Sequence, residues 1–136
     1  MGAQVAALGL SSRVSLLPPE SDVNHLLMEA QLFVLSTNSE ALPISILEAM
    51  RAALPVVATD VGGVAESVRH EETGLLVRRG DVAGLRDALA RLIGRPALRV
   101  AMGAAGRRLW AAQFTSNTMT ARTVEVYKRA LASVDN

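Results

Sequence analysis

Residues Leu32–Met50 read LFVLSTNSEALPISILEAM, and three local signals succeed one another within that stretch. Leu32–Leu35 is apolar at every position, as a strand covered on both faces reads; a half-buried strand would alternate. A short polar loop, Ser36–Leu42, follows. Pro43 then suits the first position of a helix, where its missing N–H costs nothing. Across Pro43–Ala53, the residues Ile44, Leu47 and Met50, with Leu54 beyond, fall on one stripe at helical spacing. Strand, loop and helix in that order predict a βα unit.

The same alternation extends in both directions. Val14–Leu17, Pro55–Ala58 and Gly74–Val77 are further apolar runs of strand length. Val23–Ala30 reads as a helix after the cap oxygens of Ser21 and Asp22. Gly63–Arg69 holds a short helical turn at most. Gly80-Asp81 opens a helix through Ile93, with Asp81 as its N-cap and Val82, Leu85, Leu89, Leu92 and Ile93 turned inward. Gly94-Arg95-Pro96 breaks that helix, and Ala97–Gln113 and Ser116–Val134 read as two more. The fold class expected is therefore α/β: a Rossmann-like parallel sheet of about four strands, flanked by helices joined through right-handed crossovers, with a C-terminal helical segment. Residues 1–136 form one domain, and the helices of 97–134 belong to it.

Composition agrees with this. Aromatic residues make up only 3% of the chain while 50% is hydrophobic, so the core is built from Val, Leu, Ile and Ala. Cysteine is absent, which excludes disulfides, thiolate metal sites and a thiol nucleophile. No basic segment precedes the apolar residues of the N-terminus, and no apolar run approaches ~18 residues; a cytoplasmic protein is the expectation. Residues 1–50 carry a net charge of −4 and residues 51–136 a net charge of +5. The cations Arg95, Arg99, Arg107, Arg108, Arg122, Lys128 and Arg129 face only Glu125 within 95–129. Such a face suits solvent or an anionic partner, but too few aromatics accompany it for a nucleic-acid surface.

In a sheet of this kind ligands bind beyond the carboxyl ends of the strands. Two loops qualify: Ser36–Leu42, and Thr59–Gly63 with its double glycine. Leu42 is a poor N-cap, so the amides of Ile44, Ser45 and Ile46 lack local acceptors, and a helix start of that kind favours anions. Glu48, a turn further on, can accept hydrogen bonds from a pair of ligand hydroxyls, and Glu40 can reach a second polar portion. The same residues read equally as a solvated helix with a polar beginning. Asp60 serves either a ligand or the next helical turn. His25 and His70 have no partner at a meaningful spacing, and Trp110 with Phe114 reads as core filling.

The run LFVLSTNSEALPISILEAMRAALPVVATDVGGVAESVRHEETGLLVRRGD closely resembles the donor-binding half of glycosyltransferase family 4, whose members are retaining, metal-independent and of the GT-B fold. The Glu-x7-Glu motif of that family matches Glu40 and Glu48, and Glu66 follows PVVATDVGG as it does there. The resemblance implies half of a GT-B fold with a nucleotide-sugar as donor substrate and no metal or other cofactor. Glu48 would hold the ribose hydroxyls and Glu40 would lie by the donor sugar as the catalytic-site carboxylate. The amides around Ser45, Ile46 and Leu47 would hold the diphosphate. Transfer would proceed by front-face attack assisted by the leaving diphosphate, without an acid and nucleophile pair.

Three glycines usual in the family are replaced, by Ala41, Ala53 and Glu71. The acceptor-binding N-terminal domain is not found, nor are two strands carrying a phosphate-binding Arg or Lys, and no cation lies between residues 14 and 50. The expectation is thus a donor-binding portion that is not active alone. The alternatives are a non-catalytic, oligomerising binding or interaction module derived from such an enzyme, and an epimerase or phosphorylase of the same fold. With strand order 3-2-1-4-5-6 the gap falls between Val14–Leu17 and Leu32–Leu35. Either these runs close up or an edge stays open, and an open apolar edge, or the Val124, Tyr127, Leu131 and Val134 stripe of the last helix, would favour a homo-oligomer.

Overall fold

The computed structural model describes residues 2–19 and 22–134, with the side chains of 133 and 134 left aside. Three parallel strands, β1 (Phe33–Leu35), β2 (Val56–Asp60) and β3 (Gly74–Arg78), lie in the order β1-β2-β3. Phe33 pairs with Val56, and Val56 in turn with Gly74. In chain order the helices are α1 (Gly2–Ala7), α2 (Asn24–Glu29), α3 (Ile44–Arg51), α4 (Val64–Ser67), α5 (Val82–Ile93), α6 (Pro96–Gln113) and α7 (Ser116–Val134). The α/β class and the parallel sheet agree with the reading of the sequence.

Strand β2 is the centre of the core because alternate residues face opposite layers. Val56 and Ala58 pack with Ile46, Ala49, Met50, Val64 and Leu109. Val57 packs on the other face with Leu75, Leu92 and Met102. Trp110 and Phe114 pack against the first cluster, as core filling requires.

One strand is corrected. Val14–Leu17 forms no strand, and Val14, Leu16 and Leu17 are 38, 51 and 60% exposed. A strand needs a neighbour for its backbone donors and acceptors, and among the described residues none flanks this run. Among the described residues the sheet accordingly has three strands, not four, and β1 pairs on one side only. Two helix faces also differ from expectation. Ile44, Val82 and Ile93 are 71, 79 and 65% exposed because they sit at helix ends beyond the sheet, and the buried face of α3 is Ile46, Ala49 and Met50. Helix α1 was not anticipated from the sequence.

Local chemistry sets the ends of these elements. Asp22 accepts from the backbone N–H of Asn24 at 3.0 Å at the start of α2, while Ser21 lies outside the described residues. Asp81 caps α5 as expected, its carboxylate accepting from the Gly84 amide at 2.8 Å. Helix α3 ends in a Schellman turn: Leu54 N–H donates to Ala49 C=O at 2.9 Å and Ala53 N–H to Met50 C=O at 3.0 Å. That turn needs a left-handed residue, and Ala53 adopts it at φ 58° without being glycine. Helix α6 packs on the same turn so closely that a methyl on Gly103 would lie 1.9 Å from the Ala53 carbonyl oxygen.

Candidate functional site

The carboxyl ends of β1 and β2 open into the two stretches singled out from the sequence, Ser36–Leu42 and Thr59–Gly63, of which Thr59 and Asp60 still belong to β2. Beyond Leu35, which is still in register with Ala58, the first loop leaves the ladder. The Thr59 side chain then replaces the missing backbone pairing. Its hydroxyl accepts from the Thr37 N–H at 3.0 Å and donates to the Thr37 C=O at 2.7 Å. Further along, Thr37 Oγ1 donates to the Ser39 carbonyl at 3.1 Å.

The double glycine forms the floor beneath Glu40 and Ala41. A methyl on Gly62 would come within 1.7 Å of the Glu40 carbonyl oxygen, and one on Gly63 within 2.0 Å of that of Ala41. Gly62 also has φ 52°, in the left-handed region. The two loops are therefore one unit, and backbone contact explains why glycine occupies both positions. Arg79, just past β3, donates to the Asn38 carbonyl at 3.4 Å. This cation lies far outside the cation-free span of residues 14–50, and only tertiary contact brings the end of β3 over the first loop.

Helix α3 starts at the end of this loop. Pro43 stands at its N-cap with ψ 112°, no side chain caps it and no acid occupies its first turn. The Ile46 N–H turns back to the Pro43 carbonyl at 3.1 Å. Of the three amides expected to lack acceptors, Ile46 thus has one, and the opening falls at Ile44 and Ser45. Ser45, Leu47 and Glu48 are half-buried on this helix, whereas Ile46 points into the core at 0% exposure. Glu40 is half-buried in the loop. An uncapped helix start has a positive dipole end, and here it lies between a carboxylate-bearing loop and a carboxylate one turn inside the helix. Such a site can take an anion flanked by hydroxyl-bearing groups.

Asp60 is exposed, and no side chain caps α4, so the capping role considered for it is not taken up. Arg51 is exposed and bonds Asn24 on α2, facing away from the start of α3. His70 has a structural role that its sequence spacing did not suggest: its Nδ1 accepts from the Leu76 N–H at 2.9 Å on β3. Among the described residues, no group of His, Asp and Glu side chains is arranged to hold a metal ion. Nor is any helix among those residues long and apolar enough to cross a membrane.

Comparison with known proteins places these features in a family. The family model described as "Glycosyl transferases group 1" matches residues 1–109. The chain is 44% identical over 96 residues to an exopolysaccharide phosphotransferase of Streptomyces coelicolor, covering 69% of this chain and 10% of that protein. It is 37% identical over 126 residues to the D-inositol 3-phosphate glycosyltransferase of Mycobacterium avium, covering 91% of this chain and 30% of that one. The crystal structure of Anabaena HepE in complex with UDP superposes with a TM-score of 0.89 at 26% identity, over 94% of this chain and 35% of HepE. HepE is also known in complex with UDP-glucose. The structural neighbours are GT-B glycosyltransferases, and the chain spans about a third of HepE and 30% or less of the two curated relatives.

Proposed function

Since the chain belongs to the group 1 glycosyl transferases, we propose that it is the part of such an enzyme that binds the donor, a nucleotide-sugar, for transfer of a hexosyl group. The observation that carries this reading is the uncapped start of α3 beside the loop that Thr59, Gly62 and Gly63 hold in place. The diphosphate lies at the start of α3, where the amides of Ile44 and Ser45 are open to it and those of Ile46 and Leu47 follow in the same turn. Glu48 accepts hydrogen bonds from the ribose hydroxyls, and Glu40 lies by the donor sugar.

Charge builds on the leaving diphosphate as the bond to the sugar breaks. A preorganised helix dipole stabilises that charge with no reorganisation at the moment of reaction. In this reading transfer retains the anomeric configuration, by attack from the face the diphosphate leaves, and no metal takes part. The acceptor is held by residues other than these, so this portion binds donor without completing transfer alone. UDP and UDP-glucose in HepE support the nucleotide-sugar class.

The test is an NMR titration with UDP-, GDP- and ADP-glucose. Shifts at the amides of residues 44–47 are expected with at least one of them. Glu48→Ala is expected to weaken that binding roughly 10- to 100-fold, the worth of hydrogen bonds to a charged acceptor. If no nucleotide-sugar moves those amides, the donor-binding reading is wrong.

A second reading, a non-catalytic interaction module that oligomerises, is favoured by the open edge of β1 and the exposed apolar residues of α7. It expects self-association together with silence in the same titration.

A further inference from the structure

Glu40 stands on a loop with no helix or strand of its own to orient it, so something outside the loop must set its position. The hydrogen bonds identify what does. Thr59 is the penultimate residue of β2, 5% exposed, and in register with Val77 on β3. Its hydroxyl uses its proton on the Thr37 carbonyl and a lone pair on the Thr37 amide, at 2.7 and 3.0 Å. A hydroxyl can do both at once; a methyl can do neither. The next carbonyl within reach, Leu35, is at 3.5 Å, so Thr37 is the preferred partner. Both backbone groups of one loop residue are thereby tied to a rigid central strand, three positions before Glu40. The glycine floor holds the loop on its other side, beneath Glu40 and Ala41.

We propose that Thr59 is a positioning residue: by taking both backbone groups of Thr37, its hydroxyl fixes the Ser36–Leu42 loop and so holds Glu40 against the sugar of the bound donor. The claim deepens the donor-binding reading and rests on it for the ligand. Thr59 itself touches no substrate. The loop is fixed before ligand arrives, and the hydroxyl acts on the sugar end of the site while leaving the nucleotide end at α3 unchanged.

The experiment compares wild type with Thr59→Val, Thr59→Ser, Glu40→Gln and Thr59→Val/Glu40→Gln in the full chain, with UDP and UDP-glucose as probes. Without ligand, Thr59→Val is expected to shift the amide resonances of 37–41 and speed exchange at the Thr37 amide by about tenfold or more, while Thr59→Ser preserves both. With ligand, Thr59→Val and Glu40→Gln are each expected to weaken UDP-glucose about tenfold and leave UDP nearly unchanged, with the double variant no weaker than either. Unmoved amides in a folded Thr59→Val protein overturn the proposal. So do additive effects of the two substitutions, or an equal loss of UDP and UDP-glucose. If wild type binds neither probe, the GDP and ADP pairs take their place; if it binds none of these, the donor-binding reading fails, and the ligand-free amides still decide whether Thr59 sets the loop. Should Thr59→Val not fold, Thr59→Ser carries the ligand-free test, and altered 37–41 amides there overturn the proposal.

Discussion

Among the described residues, two occupy left-handed backbone without being glycine: Ala53 at φ 58° and Glu71 at φ 66°. Both were recognised in the sequence as replacing glycines usual in the resembled family, and the backbone retains the conformation that glycine would adopt without strain. An L-residue there costs ~1–2 kcal/mol, part of which is returned because alanine loses less chain entropy on folding than glycine does. Ala53→Gly is therefore expected to stabilise the fold by roughly 0.5–1 kcal/mol, read from urea denaturation at unchanged m-value. A loss of stability would show that the Schellman turn tolerates alanine without strain. Glu71→Gly gains less, because Glu71 also holds Arg91. The third replacement, Ala41, is different in kind: the close contact at that point is made by its carbonyl oxygen with Gly63, not by its side chain. The double glycine was legible as a turn from spacing alone, but its partners were not, since residues 22 positions away supply them.

At the scale of elements, α5 is fastened to the loop before β3 by Arg91 and Glu71, which form a two-pronged pair with Nη2 at 2.6 Å from Oε2. The hydrogen bond from Arg91 is the first cause holding the Glu71 carboxyl below its usual range, and the charge of Arg91 adds to it. A carboxylate whose folded pKa is depressed contributes stability above its unfolded pKa, and that contribution disappears as pH falls through the folded value. Arg91→Gln should therefore be less stable than wild type at neutral pH, with the two curves converging only below about pH 4, the ordinary carboxylate range. The difference is small because the Arg91 and Glu71 side chains are 36 and 47% exposed, so solvent screens the pair. Denaturant midpoints measured between about pH 2 and about pH 7, roughly the range over which a carboxylate titrates, check this; a gap independent of pH would assign the effect to packing. Strand and helix identities were legible from apolar runs and stripes because each reflects a local period. The misplaced inward faces of Ile44, Val82 and Ile93 all lie at helix ends, where the period persists but the sheet does not reach.

At the scale of the whole molecule, β1 has a free edge among the described residues, and Val34 is 40% exposed beside it. Helix α7 presents Val124, Tyr127 and Leu131 at 43, 65 and 69% exposure. An apolar strand edge with unpaired backbone groups recruits another chain, and a bare apolar helix stripe does the same. Self-association of this chain is the expected outcome in sedimentation velocity. Val34→Lys is expected to reduce it if the sheet edge carries the contact, and Leu131→Glu if α7 does. A monomer at every concentration would contradict both. By itself the sequence determined the α/β class, the order of the elements from α2 onward, the loops at the carboxyl ends of β1 and β2 and the family, because these rest on local periodicity, turn chemistry and a dense motif. Only the tertiary structure decided that Val14–Leu17 stays out of the sheet, that Arg79 reaches the first loop and that Thr59 holds Thr37. Each of these depends on which neighbours the fold supplies, and pairing between distant segments leaves no period in the chain from which to read it.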